Sequence, residues 1–213
     1  MAEQTITAPR TSPAHLRYRR SPGADLTELM AAGSKRTVSL REVTFQTHLA
    51  LRAGSDAAVQ ALGEALGAPL PDQVGGVCSG TRGEGQPVDI LWLSPDEWLA
   101  VFDDEAVTGV SGRELVAAGA AALQGHRGQV VDVSANRATL ELSGPHARTV
   151  LDKVIQLDLH PLEFPVGRAV SSLLESVQVI LWRTDEETWL VLPRASFTEF
   201  VTRWLLDGMR EFD

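Results

Sequence analysis

The chain has 213 residues, 44% hydrophobic and 22% charged, with a formal charge of −9 at pH 7. That composition excludes a disordered, collagen-like or low-complexity chain, and a chain of this length buries about 70% of its unfolded surface, so it needs no disulfide or metal to fold. No apolar run reaches the ~20 residues that cross a bilayer, no secretory signal is expected, and Cys78 is the only cysteine, which together suit a cytoplasmic protein with no internal disulfide or cysteine cluster.

Residues 1–41 read as a basic leader. They hold seven bases against three acids, a net +4, whereas residues 42–213 carry −13. An acidic body argues against a nucleic-acid role, and a basic arm on it suggests a docking segment. Pro9, Pro13 and Pro22, with Ser12, Ser21 and Gly23, favour extended backbone. A short helix is predicted over Asp25–Ala32, where Leu26, Leu29 and Met30 share a face. On this reading the leader is an extended N-terminal arm over residues 1–37 that docks on a partner. A body starting at Thr37 would then keep its melting temperature.

The body spans residues 38–213. Val43, Phe45, Thr47, Leu49 and Leu51 alternate with Thr44, Gln46, His48, Ala50 and Arg52, which predicts one half-buried strand. Ser55 is a helix N-cap, Ala58, Val59, Leu62 and Leu66 form the stripe, and Gly67 ends it. Residues 68–87, rich in Gly and Pro, read as a loop. Ile90–Leu93, the Ser94-Pro95-Asp96-Glu97 turn and Trp98–Phe102 form a hairpin. A helix follows through Leu115, Val116, Ala122 and Leu123, stopped at Gly125, with Gly119 an unfavourable residue inside it.

The second half repeats the order. Val131–Leu142 reads as a strand, and Ser143-Gly144-Pro145 opens a helix with the stripe Ala147, Val150, Leu151 and Val154. Val177–Trp182 and Trp189–Leu192 form a hairpin about a turn at Thr184–Glu187. A capping box at Ser196 and Glu199 starts the last helix, with the stripe Phe197, Phe200, Val201, Trp204 and Leu205. Overlaid at about 91 residues, Leu49-x-Leu51 falls on Leu140-x-Leu142, Val59 on Val150 and Leu66 on Leu157. Ile90-Leu91-Trp92 likewise falls on Ile180-Leu181-Trp182, and Trp98-Leu99 on Trp189-Leu190. The predicted fold is therefore α+β, with two related strand–helix–hairpin–helix halves at 38–125 and 129–208. Trp92, Trp98, Trp182, Trp189 and Trp204 are all expected in the core.

Catalytic patterns are missing. Gly75 and Gly80 have the spacing of a phosphate loop, but Thr81 stands where its lysine is required. Gly83-x-Gly85 lacks a third glycine. His15, His48, His126, His146 and His160 include no i, i+3 or i, i+4 pair for a helical metal site. Cys78 reads as a passive thiol near Arg82. Asp103–Glu105 and Asp185–Glu187 read as solvated turns. Asp89 and Asp132 enter otherwise apolar strands, where a carboxylate would be desolvated and need hydrogen-bond partners.

Val38–Phe45, Leu49–Arg52, Leu93-Ser94-Pro95-Asp96-Glu97-Trp98-Leu99 and the leader's Arg20-Ser21-Pro22 resemble the gamma-subunit family of heterotetrameric sarcosine oxidase. The resemblance covers nearly the whole chain. Asp132-Val133-Ser134 and Leu140–Ala147 also resemble the folate-dependent aminomethyltransferase, the glycine-cleavage T-protein family. This likeness implies one folate-binding, T-protein-like domain. That family has a Gly-Gly turn and then a strand opening on paired Asp residues, one of them catalytic. The matching stretch here, Leu174-Glu175-Ser176-Val177-Gln178-Val179, has no Asp. Without it no carboxylate holds or deprotonates the reacting amine.

What the resemblance implies is a noncatalytic structural subunit. The complex demethylates sarcosine oxidatively to glycine, hydrogen peroxide and 5,10-methylenetetrahydrofolate. FAD, FMN and NAD belong to its alpha and beta subunits and zinc to delta, and gamma packs mainly against alpha. The resemblance assigns this chain no catalytic, cofactor-binding or metal-ligating residue. The alternatives are a stand-alone folate-binding or one-carbon-transfer protein, or an unrelated interaction module.

Overall fold

The computed structural model describes residues 14–213; the readings of Pro9, Ser12 and Pro13 lie outside them. Single 3-10 turns at Ala14–Tyr18 and Ala24–Leu26 lead into α1 (Thr27–Gly33) and β1 (Ser39–Glu42). The elements β2 (Thr47–Ala53), α2 (Asp56–Leu66), β3 (Val77–Arg82), β4 (Gln86–Ser94) and β5 (Glu97–Phe102) follow. Next come α3 (Glu105–Thr108), α4 (Gly112–Ala122), β6 (Gly128–Asp132), β7 (Leu140–Ser143) and α5 (Ala147–Asp152). The chain closes on β8 (Ala169–Leu174), β9 (Val177–Asp185), β10 (Thr188–Pro193) and α6 (Thr198–Gly208).

The strands make two five-stranded sheets, in the orders β6-β2-β5-β4-β3 and β1-β7-β10-β9-β8, and every pairing given by register is antiparallel. Three apolar clusters fix the layers. Leu49, Leu51, Ile90, Trp98 and Phe102 of the first sheet pack on Ala58, Leu62, Leu66 and Leu115 of α2 and α4. Leu140, Leu142, Leu181 and Trp189 of the second pack on Met30, Val150, Val201 and Leu205 of α1, α5 and α6. Between the sheets lie Leu91, Leu99, Val101, Ile180, Trp182, Leu190 and Leu192. The layers therefore run helix, sheet, sheet, helix.

The predicted strand over Val43–Leu51 belongs to two sheets. β1 pairs with β7 and β2 with β5 and β6, and residues 43–46 cross between the sheets with Phe45 at φ +61. The predicted strand over Val131–Leu142 is divided likewise, β6 ending at Asp132 and β7 beginning at Leu140. Alternation reports which side a residue faces and carries no signal for a change of partner sheet.

The register sorts the internal matches. Leu49 and Leu51 lie opposite Ala100 and Trp98, and Leu140 and Leu142 opposite Val191 and Trp189, with the spacing predicted. The Ile-Leu-Trp match slips by one, because Ile90 lies opposite Ala100 whereas Leu181 lies opposite Val191. Ile90 therefore faces helices and Ile180 faces the other sheet. α2 and α5 start at equivalent positions, but α5 ends at Asp152, leaving Leu157 exposed beyond it.

Residues 68–87 contain β3 and the start of β4, and β8 also escaped prediction. These edge strands lack the apolar periodicity of central ones. Gly80 sits in β3 because a Cβ there would lie 2.1 Å from the Gly67 carbonyl oxygen. Gly119 admits Val130, whose Cγ2 would lie 2.8 Å from an added Cβ. The Ser55 cap forms, its side chain accepting from Ala58 N–H, and Gly67 closes α2 at φ +90. The capping box predicted at Ser196 does not form: Ala195–Phe197 is a 3-10 turn, and Glu199 pairs with Arg203. A box forms at Ser111 and Glu114. Pro145 precedes α5 without entering it.

The expected extended arm is also corrected over the described residues. Leu26 and Met30 are core residues of the second sheet's helical layer, and Leu16 is buried. Trp98, Trp182 and Trp189 are buried as expected, Trp92 is half-buried, and Trp204 is 37% exposed. The face α6 turns inward carries Thr198, Val201, Thr202 and Leu205, while Phe197 and Phe200 are exposed.

Candidate functional site

The two crossings between the sheets enclose a cavity of about 300 Å³. Glu42, Val43 and residues 45–48 line one side, 134, 135 and 137–139 another, and Arg19–Pro22 a third, with Glu105, Gly112 and Asp132 completing the wall. The crossings are tied to their neighbours by backbone: Val43 N–H donates to Thr139 O at 2.8 Å, and Val133 N–H to His48 O at 2.8 Å.

Arg19 donates to both carboxylate oxygens of Asp104, at 2.8 and 3.1 Å, and its guanidinium lies 4.3 Å from the Phe45 ring centre. Glu42 accepts from Ser21 Oγ and from Gly23 N–H. Asp132 accepts from Ser134 N–H at 2.9 Å and Ser134 Oγ at 2.6 Å, and Ser134 Oγ accepts from His48 N–H at 3.1 Å. Gly112 lets Asp132 approach its backbone, since an added Cβ would lie 2.3 Å from Asp132 Oδ2 and the carboxylate would have to move. Arg137 donates to Leu192 O at 3.0 Å; burial first, then Arg194, pulls its pKa down.

His48 is the residue sequence reasoning missed. Alternation places it with Ala50 and Arg52, which reads as a solvent face. That face is instead covered by the second sheet, because His48 stands opposite Val101 in the layer between the sheets. It is 1% exposed, and neither ring nitrogen has a partner. Burial first, and Arg137 second, lower its pKa from 6.5 to about 4, opposed by Asp132. Folded His48 is therefore neutral well below the pH at which the unfolded imidazole takes a proton. The unfolded state binds more protons between pH 6.5 and 4, so stability falls as pH drops through that window. The expected loss reaches about 3 kcal/mol and levels off below the lower value. Urea midpoints measured from pH 7 to pH 4 check this. The native chain should show a steeper pH dependence than His48→Phe, and equal slopes would contradict it.

The other candidates stay apart. Asp132 is exposed at a strand end, and Asp89 is bonded by Ser79 Oγ, so both have the expected partners although Asp132 is not desolvated. Cys78 lies in β3, its pKa raised by burial and then by Asp72, which keeps the thiol protonated. His146 stacks on Phe212 at 4.4 Å, and His160 Nδ1 accepts from Leu162 N–H. No group of three His, Cys, Asp or Glu among the described residues could hold a metal ion. Leu174–Val179 runs from the end of β8 through the Glu175-Ser176 turn into β9, with Glu175 exposed at φ +52.

A family model described as sarcosine oxidase, gamma subunit family, matches residues 52–211. The chain is 47% identical over 196 residues to sarcosine oxidase subunit gamma of Corynebacterium sp. (strain P-1), covering 91% of each. It is 48% identical to that of Arthrobacter sp, also over 91% of each. Among solved structures it superposes on a chain of heterotetrameric sarcosine oxidase from Corynebacterium sp. U-96, in complex with pyrrole 2-carboxylate. The TM-score is 0.81 at 43% identity, over 91% of this chain and 96% of that one. The glycine cleavage system aminomethyltransferase T of Bartonella henselae shares the fold, with a TM-score of 0.60 at 15% identity. That match covers 84% of this chain and 48% of the other.

Proposed function

The chain belongs to the sarcosine oxidase gamma subunit family, and from that premise we propose that it is the noncatalytic structural subunit of a heterotetrameric sarcosine oxidase. The observation that carries this reading is identity of 47% sustained over 91% of both chains. Identity at that level preserves a surface as well as a fold. The assembled enzyme would convert sarcosine to glycine, hydrogen peroxide and 5,10-methylenetetrahydrofolate. FAD, FMN and NAD would reside in its alpha and beta subunits and zinc in delta, with alpha the main contact of this chain. The noncatalytic role is supported by the stretch Leu174–Val179, which supplies no aspartate where the aminomethyltransferase pattern has its reactive pair. A cytoplasmic location is supported by the single cysteine, and no helix among the described residues is long and apolar enough to cross a membrane.

We further read the body, residues 38–213, as a duplicated unit with halves at 38–125 and 129–208. The equal strand order of the sheets and the recurrence of the Leu-x-Leu against Trp register support it. β1 and β6 would then be edge strands that each half lends to the other.

Co-expression with the three other subunits tests the assignment. A tag on this chain should recover a yellow, sarcosine-oxidising complex, while the chain purified alone carries no flavin absorbance. Recovery of the tagged chain without flavoprotein overturns the structural reading. Saturable tetrahydrofolate binding with one-carbon turnover by the chain alone would establish the one-carbon-transfer alternative instead.

A further inference from the structure

We propose that the cavity between the sheet crossings is a binding site for a small, uncharged, planar molecule that both donates and accepts hydrogen bonds, of the cyclic-amide or carboxamide class. The first observation is an accumulation of unmet polar atoms. Arg19 Nε, Gln46 Oε1 and both ring nitrogens of His48 are buried with no partner, and all three side chains line this cavity. The other buried unpartnered side-chain atoms among the described residues belong to Gln86, Trp182, Trp189 and Thr202, none of which lines it. A buried polar atom without a partner costs free energy, so each one calls for a water, an ion or a ligand to meet it. Here four belong to side chains, from two separate segments, that line one space.

Their chemistry selects the ligand. Arg19 Nε–H only donates, Gln46 Oε1 accepts, and a neutral imidazole presents one donor and one acceptor. Two donors and two acceptors match a group that has both. A carboxylate would leave the acceptors unmet, and an ammonium would leave the donors unmet. Charge gives the same answer. The formal charges of the wall balance, with Arg19, Arg20 and Arg137 against Glu42, Glu105 and Asp132. Arg19 is already paired with Asp104, Arg20 with Asp25, and Glu42 and Asp132 accept the bonds described above.

Size and shape restrict it further. About 300 Å³ stands at the low end of ligand pockets, enough for a single ring with a substituent and too small for a dinucleotide. One wall is the Phe45 ring, held by the Arg19 guanidinium on a backbone at φ +61. That conformation is costly for an aromatic residue and recurs where a side chain must be aimed. Pro22, Val43, Ala135 and Ala138 add further apolar lining.

The test uses the full chain with matched one-ring probes: 2-pyridone and benzamide, which are uncharged, against benzoate and benzylamine. Saturation-transfer NMR should show saturable binding of the uncharged pair with Kd of about 1 mM or below, and at least tenfold weaker binding of the charged pair. His48→Phe should abolish the 2-pyridone response. Because it removes two unmet polar atoms, it should also leave the melting temperature unchanged or raise it by about 2–4 °C. Gln46→Leu should weaken both uncharged probes, and it decides the matter if His48→Phe does not fold. No saturable binding of either uncharged probe overturns the proposal, as does equal binding of benzoate. Undiminished binding in the folded variants overturns it too. None of these outcomes depends on assembly with other subunits.

Discussion

Deleting residues 1–36 is expected to destabilise the chain by roughly 4–8 kcal/mol, because Leu26 and Met30 each fill core space whose loss costs about 2–5 kcal/mol. Both side chains lie in the cluster that joins the second sheet to its helices, at 9% and 2% exposure. The deletion also removes the Arg19–Asp104 pair and takes the Ser21 and Gly23 donors from Glu42. A domain of this size has about 5–15 kcal/mol in total. Urea titration of the full and shortened chains should therefore find the shortened one largely unfolded. An unchanged midpoint would show that the segment is a docking arm, the role its charge first suggests.

Trp189→Ala should cost about 3–5 kcal/mol, whereas Trp204→Ala should cost under about 1 kcal/mol in the isolated chain. The two residues look alike in sequence, each a tryptophan on an apolar stripe. Trp189 is fully buried, with Phe164 5.2 Å and Arg183 5.3 Å from its ring. Arg183 is itself buried, held by its bonds to Phe164 O and Glu186 O, both at 2.8 Å. Removing the ring leaves a cavity and a less shielded cation. Trp204 touches Phe200 on the open side of α6. Comparing midpoints of the two variants checks the assignment, and a larger loss for Trp204→Ala would reverse it.

These contrasts mark what the amino-acid order encodes locally. The α2 cap, the Ser94–Glu97 turn and the Leu-x-Leu and Trp-Leu recurrences rest on side-chain chemistry within a few positions, and they reappear in the structure. The crossings at 43–46 and 133–139 depend on pairings between residues as far apart as Ser39 and Ser143 or Ala53 and Gly128, which alternation cannot register. Alternation misplaces His48 for that reason. Its face is polar in pattern and buried in fact, because a second sheet arrives from elsewhere in the chain. The α6 stripe misleads in the other direction: Thr198 and Thr202 take the inner face, while Phe197, Phe200 and Trp204 are left outside.

β1 precedes β2 in the chain but completes the sheet of β7, and β6 precedes β7 but completes the sheet of β2. Neither sheet can close until both crossings are made. Fragments split near residue 127 should then stay unfolded separately and regain structure only when mixed. The intact chain should melt in one step, with calorimetric and van't Hoff enthalpies equal. Pairings of such long range place its folding at the slow end, about milliseconds to seconds, since wide loops must close before any contact rewards them.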